Sequence, residues 1–131
     1  MIAEPPLDGG VKVTRTVWLA CRAALYFVEQ LQGGLLAHVA RVGAYLEHRL
    51  RAVASRHDFV KEVRGAGLIW GLELTRDAGP VVPLGLARGV VVNRTADKVV
   101  RLLPPYVIEE AEIDEAVGRL DAALSDLGAS A

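Results

Sequence analysis

Two tryptophans, three tyrosines, two phenylalanines, one methionine and one cysteine are all that the 131 residues hold of these types. Each shortage excludes something. A lone Cys21 cannot form a disulfide within the chain and fits a reducing compartment. Its place between alanines in a helical pattern reads as inert packing rather than as a nucleophile. Fifteen basic side chains nearly balance sixteen acidic ones, and the two signs are interspersed. There is no basic patch interleaved with aromatics, so nucleic acid is not an expected partner. No run approaches the roughly 18 uninterrupted apolar residues of a membrane span, and Met1 to Gly10 has no apolar core of signal-peptide length. No membrane contact and a cytoplasmic location are therefore expected. His38, His48 and His57 are never three or four residues apart, so they cannot converge as metal ligands on one helix face. They read as surface or helix-end side chains, and no metal site is expected. No serine stands in a nucleophile elbow, and Lys12, Lys61 and Lys98 each lie in polar or charged surroundings. A lysine that forms a Schiff base needs a desolvated pocket. Taken alone, the chain shows no catalytic residue.

About half of the residues are hydrophobic, which is ordinary for a globular domain with a core of its own. Residues 1 to about 15 are rich in proline and glycine and read as a loose arm. Apolar side chains at spacings of three and four predict a helix from Val17 to Gln32, closed by Gly33-Gly34. A longer helix follows from about Leu35 to His57, with Leu35, Val39, Val42, Leu46, Leu50 and Val53 in one stripe. Phe59 to Arg64 and Leu68 to Leu74 read as strands joined by a glycine turn, a hairpin. Pro80 to Arg88 is a short helix closed by Gly89, Val90 to Asn93 a third strand and Lys98 to Leu103 a fourth. A last helix spans about Glu110 to Leu127, with Glu109, Glu110 and Glu112 as capping acids that offset its dipole. The expected fold class is α+β, a small, mostly antiparallel sheet of about four strands with helices on one face.

Two stretches invite a functional reading. Gly65, Gly67 and Gly71 resemble a phosphate loop, but the spacing is wrong and a strand follows instead of a helix N-terminus. They read as a turn. The other stretch is Val99 to Ile108, an apolar strand with one arginine, stopped by Pro104-Pro105. On a period of two, Arg101 shares a face with Val99 and Leu103, opposite Val100 and Leu102. A guanidinium removed from water is costly unless an anion meets it. Either Arg101 lies in water at a strand end, or a carboxylate is brought to it.

Leu19-Ala20-Cys21-Arg22-Ala23-Ala24, Val63-Arg64-Gly65-Ala66-Gly67-Leu68-Ile69-Trp70-Gly71-Leu72-Glu73-Leu74 and Ala87-Arg88-Gly89-Val90-Val91-Val92-Asn93 fall in an order that is itself informative. With Asp97 to Pro105 and Glu112 to Ala116, they resemble the C-terminal part of class III pyridoxal-phosphate aminotransferases, above all acetylornithine aminotransferases. The resemblance implies a small C-terminal domain over residues 19–128 that packs over the active site of a homodimer. It implies pyridoxal phosphate as cofactor, an amino-acid substrate, and a large domain or second subunit as partner. Arg101 then matches the arginine that binds the substrate's α-carboxylate in a planar, two-point contact. The implied reaction is amino transfer between N-acetylornithine and 2-oxoglutarate in arginine biosynthesis. Relatives carry the Schiff-base lysine, the aspartate facing the pyridine nitrogen and the glycine-rich phosphate site before the matched region. The chain has none of these, so no cofactor-binding residue is assigned and activity alone is not expected. Residues 1–18 do not match the family's pattern. The alternative reading is a non-catalytic module that binds an amino acid or a partner.

Overall fold

The computed structural model describes residues 15–129, which divide into two units at Gly34. In the first unit, helix α1 spans Arg15–Gln30. It begins two residues before the expected start, so the backbone of residues 15 and 16 is already helical; residues 1–14 of the expected arm lie outside the described residues. Cys21 is exposed on α1, not packed. Among the described residues of that unit there is no second element for its alanine-rich face to bury against. The helical path continues through one wide turn, Leu31–Leu35, and leaves helical geometry at Gly34, where φ is 121°. Only glycine adopts that angle without strain, which is why the pair Gly33-Gly34 punctuates the pattern.

The second unit holds the core. Helix α2 runs over Leu36–Ala54 and buries Val42, Leu46, Leu50 and Val53 along the stripe its periodicity marks. Strand β1 (Val60–Ala66) and strand β2 (Ile69–Leu74) form the expected hairpin. Its turn closes at Gly67, where φ is +56° and the Trp70 indole N–H donates to the Gly67 carbonyl at 2.8 Å. Helix α3 (Val81–Ala87) is short and ends at Gly89, with φ +77°. Strand β3 is Asn93–Thr95, strand β4 is Val99–Leu102, and helix α4 is Glu110–Ala129.

The third strand thus lies further along the chain than expected. Val90 to Val92 are apolar enough for a strand, but their backbone follows α3 instead: Val90 N–H donates to the Gly85 carbonyl at 2.9 Å. Gly85 permits the approach, since a Cβ there would meet the Val90 carbonyl oxygen at 3.0 Å. Val90 and Val92 are buried in the core without joining the sheet.

The sheet order is β1-β2-β4-β3, and every neighbouring pair is antiparallel. Val63, Trp70, Leu72, Leu74, Val100 and Leu102 are buried, and α2, α3 and α4 supply Leu50, Val81, Ile113, Leu120 and Leu124 to the same core. Helices α2 and α4 are also tied along their polar edge. Arg41 meets Glu110, the Tyr45 hydroxyl donates to Asp114 at 2.7 Å, and Arg49 pairs with Asp114 at 3.2 Å. His57 bonds Asp121 at 2.8 Å, and Arg56 reaches the same carboxylate at 3.2 Å. Of the two expected readings, surface or helix-end, His57 takes the second. It lies just past α2, buried beside the Phe59 ring, because Asp121 gives its ring nitrogen a partner there. His38 is half-buried against the Ile108 carbonyl at 3.0 Å, and His48 is exposed. The Glu112 carboxylate accepts from the Glu109 N–H at 2.9 Å, closing the first turn of α4 as a cap.

Candidate functional site

The face of the sheet opposite α2 to α4 carries the residues of interest. Cross-strand register places Arg64, Gly71, Arg101 and Asn93 in one row, one residue from each strand. The next row is Glu62, Glu73, Val99 and Thr95. Arg101 shares its face with Val99, while Val100 and Leu102 point into the core, as the alternation predicts.

Between Arg64 and Arg101 the row has a gap, because Gly71 has no side chain. The gap is the floor of a hollow of about 310 Å³ lined by Arg64, Ile69, Thr95, Val99 and Arg101. Arg101 is half-buried there, and its Nε is buried with no hydrogen-bond partner among the described residues. Buried polar nitrogens are nearly always satisfied, so an unmet one marks either a cost or a use. Chemically, a planar guanidinium with a free Nε edge can take a carboxylate through two parallel hydrogen bonds.

Arg64, at the other wall, is occupied. It donates to Glu73 at 2.6 Å and to Glu62 at 3.0 Å. Lys61 donates to the other Glu73 oxygen at 2.6 Å. Glu62 and Glu73 are directly opposite across the strands, an arrangement of like charges that is unfavourable by itself. The two cations resolve it. Hydrogen bonds from Lys61 and then Arg64 hold the Glu73 carboxyl below its ordinary range, and the bond to Glu73 holds the Lys61 ammonium above its own.

Neither Arg64 nor Glu73 was singled out from the sequence as part of a site. The alternation in β1 and β2 puts Glu62 with Arg64 and Gly71 with Glu73, but only the register sets both pairs beside Arg101. Only Gly67 lies in the hairpin turn, while Gly65 is paired with Trp70 within β1; the phosphate-loop reading has no helix N-terminus to rest on. Among the described residues no three histidine, cysteine or carboxylate side chains are placed to hold a metal ion.

The family profile described as aminotransferase class-III matches residues 17–124. The chain belongs to the class III aminotransferases. It is 39% identical over 127 residues to the acetylornithine aminotransferase of Methanothermobacter thermautotrophicus, covering 96% of this chain and 32% of that one. The acetylornithine aminotransferase of Aquifex aeolicus is 39% identical over 102 residues, covering 78% and 26%. The chain thus spans about a third or less of the length of the curated relatives it matches. Among solved structures, the Toxoplasma gondii ornithine aminotransferase, described with pyridoxal phosphate at its active site, superposes with TM-score 0.77 at 27% identity. That superposition covers 86% of this chain and 28% of the other. The N-acetylornithine aminotransferase of Stenotrophomonas maltophilia gives 0.69 at 27%, covering 74% and 28%. The α+β fold is that of the matched part of these class III enzymes.

The family uses pyridoxal phosphate, which a lysine amine holds covalently. Of the lysines, Lys12 lies outside the described residues, Lys61 is exposed and committed to Glu73, and Lys98 is exposed next to the β3–β4 turn. Neither described lysine stands in a desolvated pocket. The described residues do not fit covalent attachment of the cofactor.

Proposed function

We propose that residues 19–128 act as the small C-terminal domain of an acetylornithine-type aminotransferase, with Arg101 gripping the α-carboxylate of its amino-acid substrate. Helix α1 and the family match both begin ahead of residue 19, so residues 15–18 join that domain. The observation that carries this reading is Arg101 lining a hollow on the sheet face opposite α2 to α4, with its Nε buried and partnerless. The acetylornithine aminotransferases among the relatives support the substrate class; the proposed reaction is amino transfer between N-acetylornithine and 2-oxoglutarate, in cytoplasmic arginine biosynthesis. In this reading the lysine and phosphate site come from a large domain or a second subunit of a homo-oligomer, and these residues alone do not transaminate.

The test is direct. Purified chain mixed with pyridoxal phosphate is expected to show no visible absorbance of a lysine-bound cofactor and no turnover of N-acetylornithine with 2-oxoglutarate. Appearance of both refutes the reading. Calorimetry with N-acetylornithine, glutamate and arginine separates the non-catalytic alternative: micromolar binding without cofactor favours an amino-acid-binding module, whereas weak binding abolished in R101Q favours the aminotransferase domain.

A further inference from the structure

Four of the five charges on the uncovered face cancel. Lys61 and Arg64 are neutralised by Glu62 and Glu73, and Arg101 has no carboxylate in ion-pair distance among the described residues. Arg64 nevertheless lines the same hollow as Arg101, one bare glycine away in the row. Two strand spacings put their Cα atoms about 10 Å apart. Both guanidinium groups can therefore face one small ligand across Gly71, unless something holds Arg64 back. Glu73 is that restraint. It is the more sheltered of the two acids, with 19% of its side chain exposed against 52% for Glu62, and it binds both cations.

We infer that Glu73 is a positioning residue that sets the charge selectivity of the hollow: by holding Arg64 away, it leaves one guanidinium free and makes the site accept a single carboxylate end. The inference rests on the reading of Arg101 as a carboxylate-binding group. Its consequence for the proposed reaction is orientation. An amino acid with a neutral, acylated side chain and a dicarboxylate partner are held by the same end, because the second carboxylate of the latter finds no competing cation at Arg64. Electrostatic discrimination of this kind acts through the cation that is removed as much as through the one offered.

The experiment uses the native chain labelled with nitrogen-15, titrated with pentanoate and with glutarate, which have equal carbon counts and differ by one carboxylate. The arginine Nε–H resonance of Arg101 is the reporter, and that of Arg88, which donates to Asp126 at 2.8 Å, is the reference. In the native chain both ions are expected to shift Arg101, with glutarate favoured by no more than about twofold, the advantage of two equivalent ends meeting one guanidinium. In E73Q the preference for glutarate should rise roughly tenfold, the effect of one further charge-assisted contact. The double variant R64Q/E73Q should return it to the native ratio. If E73Q does not fold, E62Q loosens the same guanidinium from an exposed position and should give a smaller shift in the same direction. An unchanged ratio in a folded E73Q, with Arg101 still responding, overturns the role of Glu73 and leaves that of Arg101 standing. A raised preference that persists in R64Q/E73Q also overturns it, since Arg64 is then not the released cation. No response of Arg101 to either ion in the native chain overturns both.

Discussion

Arg101 combines a cost with a use. Its Nε is buried without a partner, and such a group destabilises a fold until a ligand satisfies it. R101Q is therefore expected to leave chemical denaturation within about 1 kcal/mol of the native chain, or slightly more stable, while carboxylate binding is lost. Urea unfolding read beside a carboxylate titration checks both halves; a large loss of stability would make Arg101 a structural residue. Gly71 contributes by what it lacks. A Cβ there would meet Val99 Cγ1 at 3.1 Å and stand on the floor between the two arginines. G71A should weaken carboxylate binding several-fold at a stability cost of about 1 kcal/mol, measured by the same pair of titrations.

At the scale of elements, the decisive contacts are where α2 meets the β1–β2 hairpin and where it meets α4. Gly43 of α2 is buried directly against Gly67: a Cβ would come within 2.9 Å of the Gly67 carbonyl carbon. That neighbour is backbone in a tight turn and cannot swing aside. G43A should cost about 1–3 kcal/mol by overpacking, whereas alanine is ordinarily the better helix former; thermal unfolding decides the sign. Along the other seam, the bond to Asp114 raises the Tyr45 hydroxyl above its ordinary value. A group raised in the folded state contributes stability that is complete below its unfolded value, near 10, and lost as pH rises through the folded one. Y45F should remove this alkaline component and flatten the stability profile at high pH, read by denaturation at stepped pH.

Within the second unit the sheet presents a helix-covered face and one that none of α2, α3 and α4 covers. One face of the sheet is packed under α2, α3 and α4, while Ile69 and Leu103 are more than half exposed, with Val91, Tyr106 and Val107 exposed on nearby loops. Under the proposed function, these exposed apolar side chains are where a large domain or second subunit would pack. The chain at rising concentration should show an increasing weight-average mass in sedimentation equilibrium, and a constant monomer mass would count against a missing partner. Acid acts on the same side. The Glu73 carboxyl lies below its ordinary range, so its contribution is present above the unfolded carboxylate value and is lost as pH falls through the depressed folded one. Acid denaturation of E73Q should accordingly begin from a less stable state yet be less steep than that of the native chain.

The class of fold was legible because local chemistry repeats with the period of the element it forms. The stripe of Val42, Leu46, Leu50 and Val53 announces α2, the alternation around Arg101 announces the two faces of β4, and Gly34, Gly67 and Gly89 announce turns only glycine takes easily. What failed was local signal that a distant neighbour overrode. Val90 to Val92 look like a strand, but α3 claims their backbone; His57 stands at a helix end as read, but its burial depends on Asp121 of α4, 64 residues away. The site divides the same way. One arginine in an apolar run is visible in the linear chain, because an unpaired charge in a strand is conspicuous wherever it falls. That Gly71 clears the space beside it, and that Glu73 occupies Arg64 on its other side, follows from strand register, which no single segment encodes.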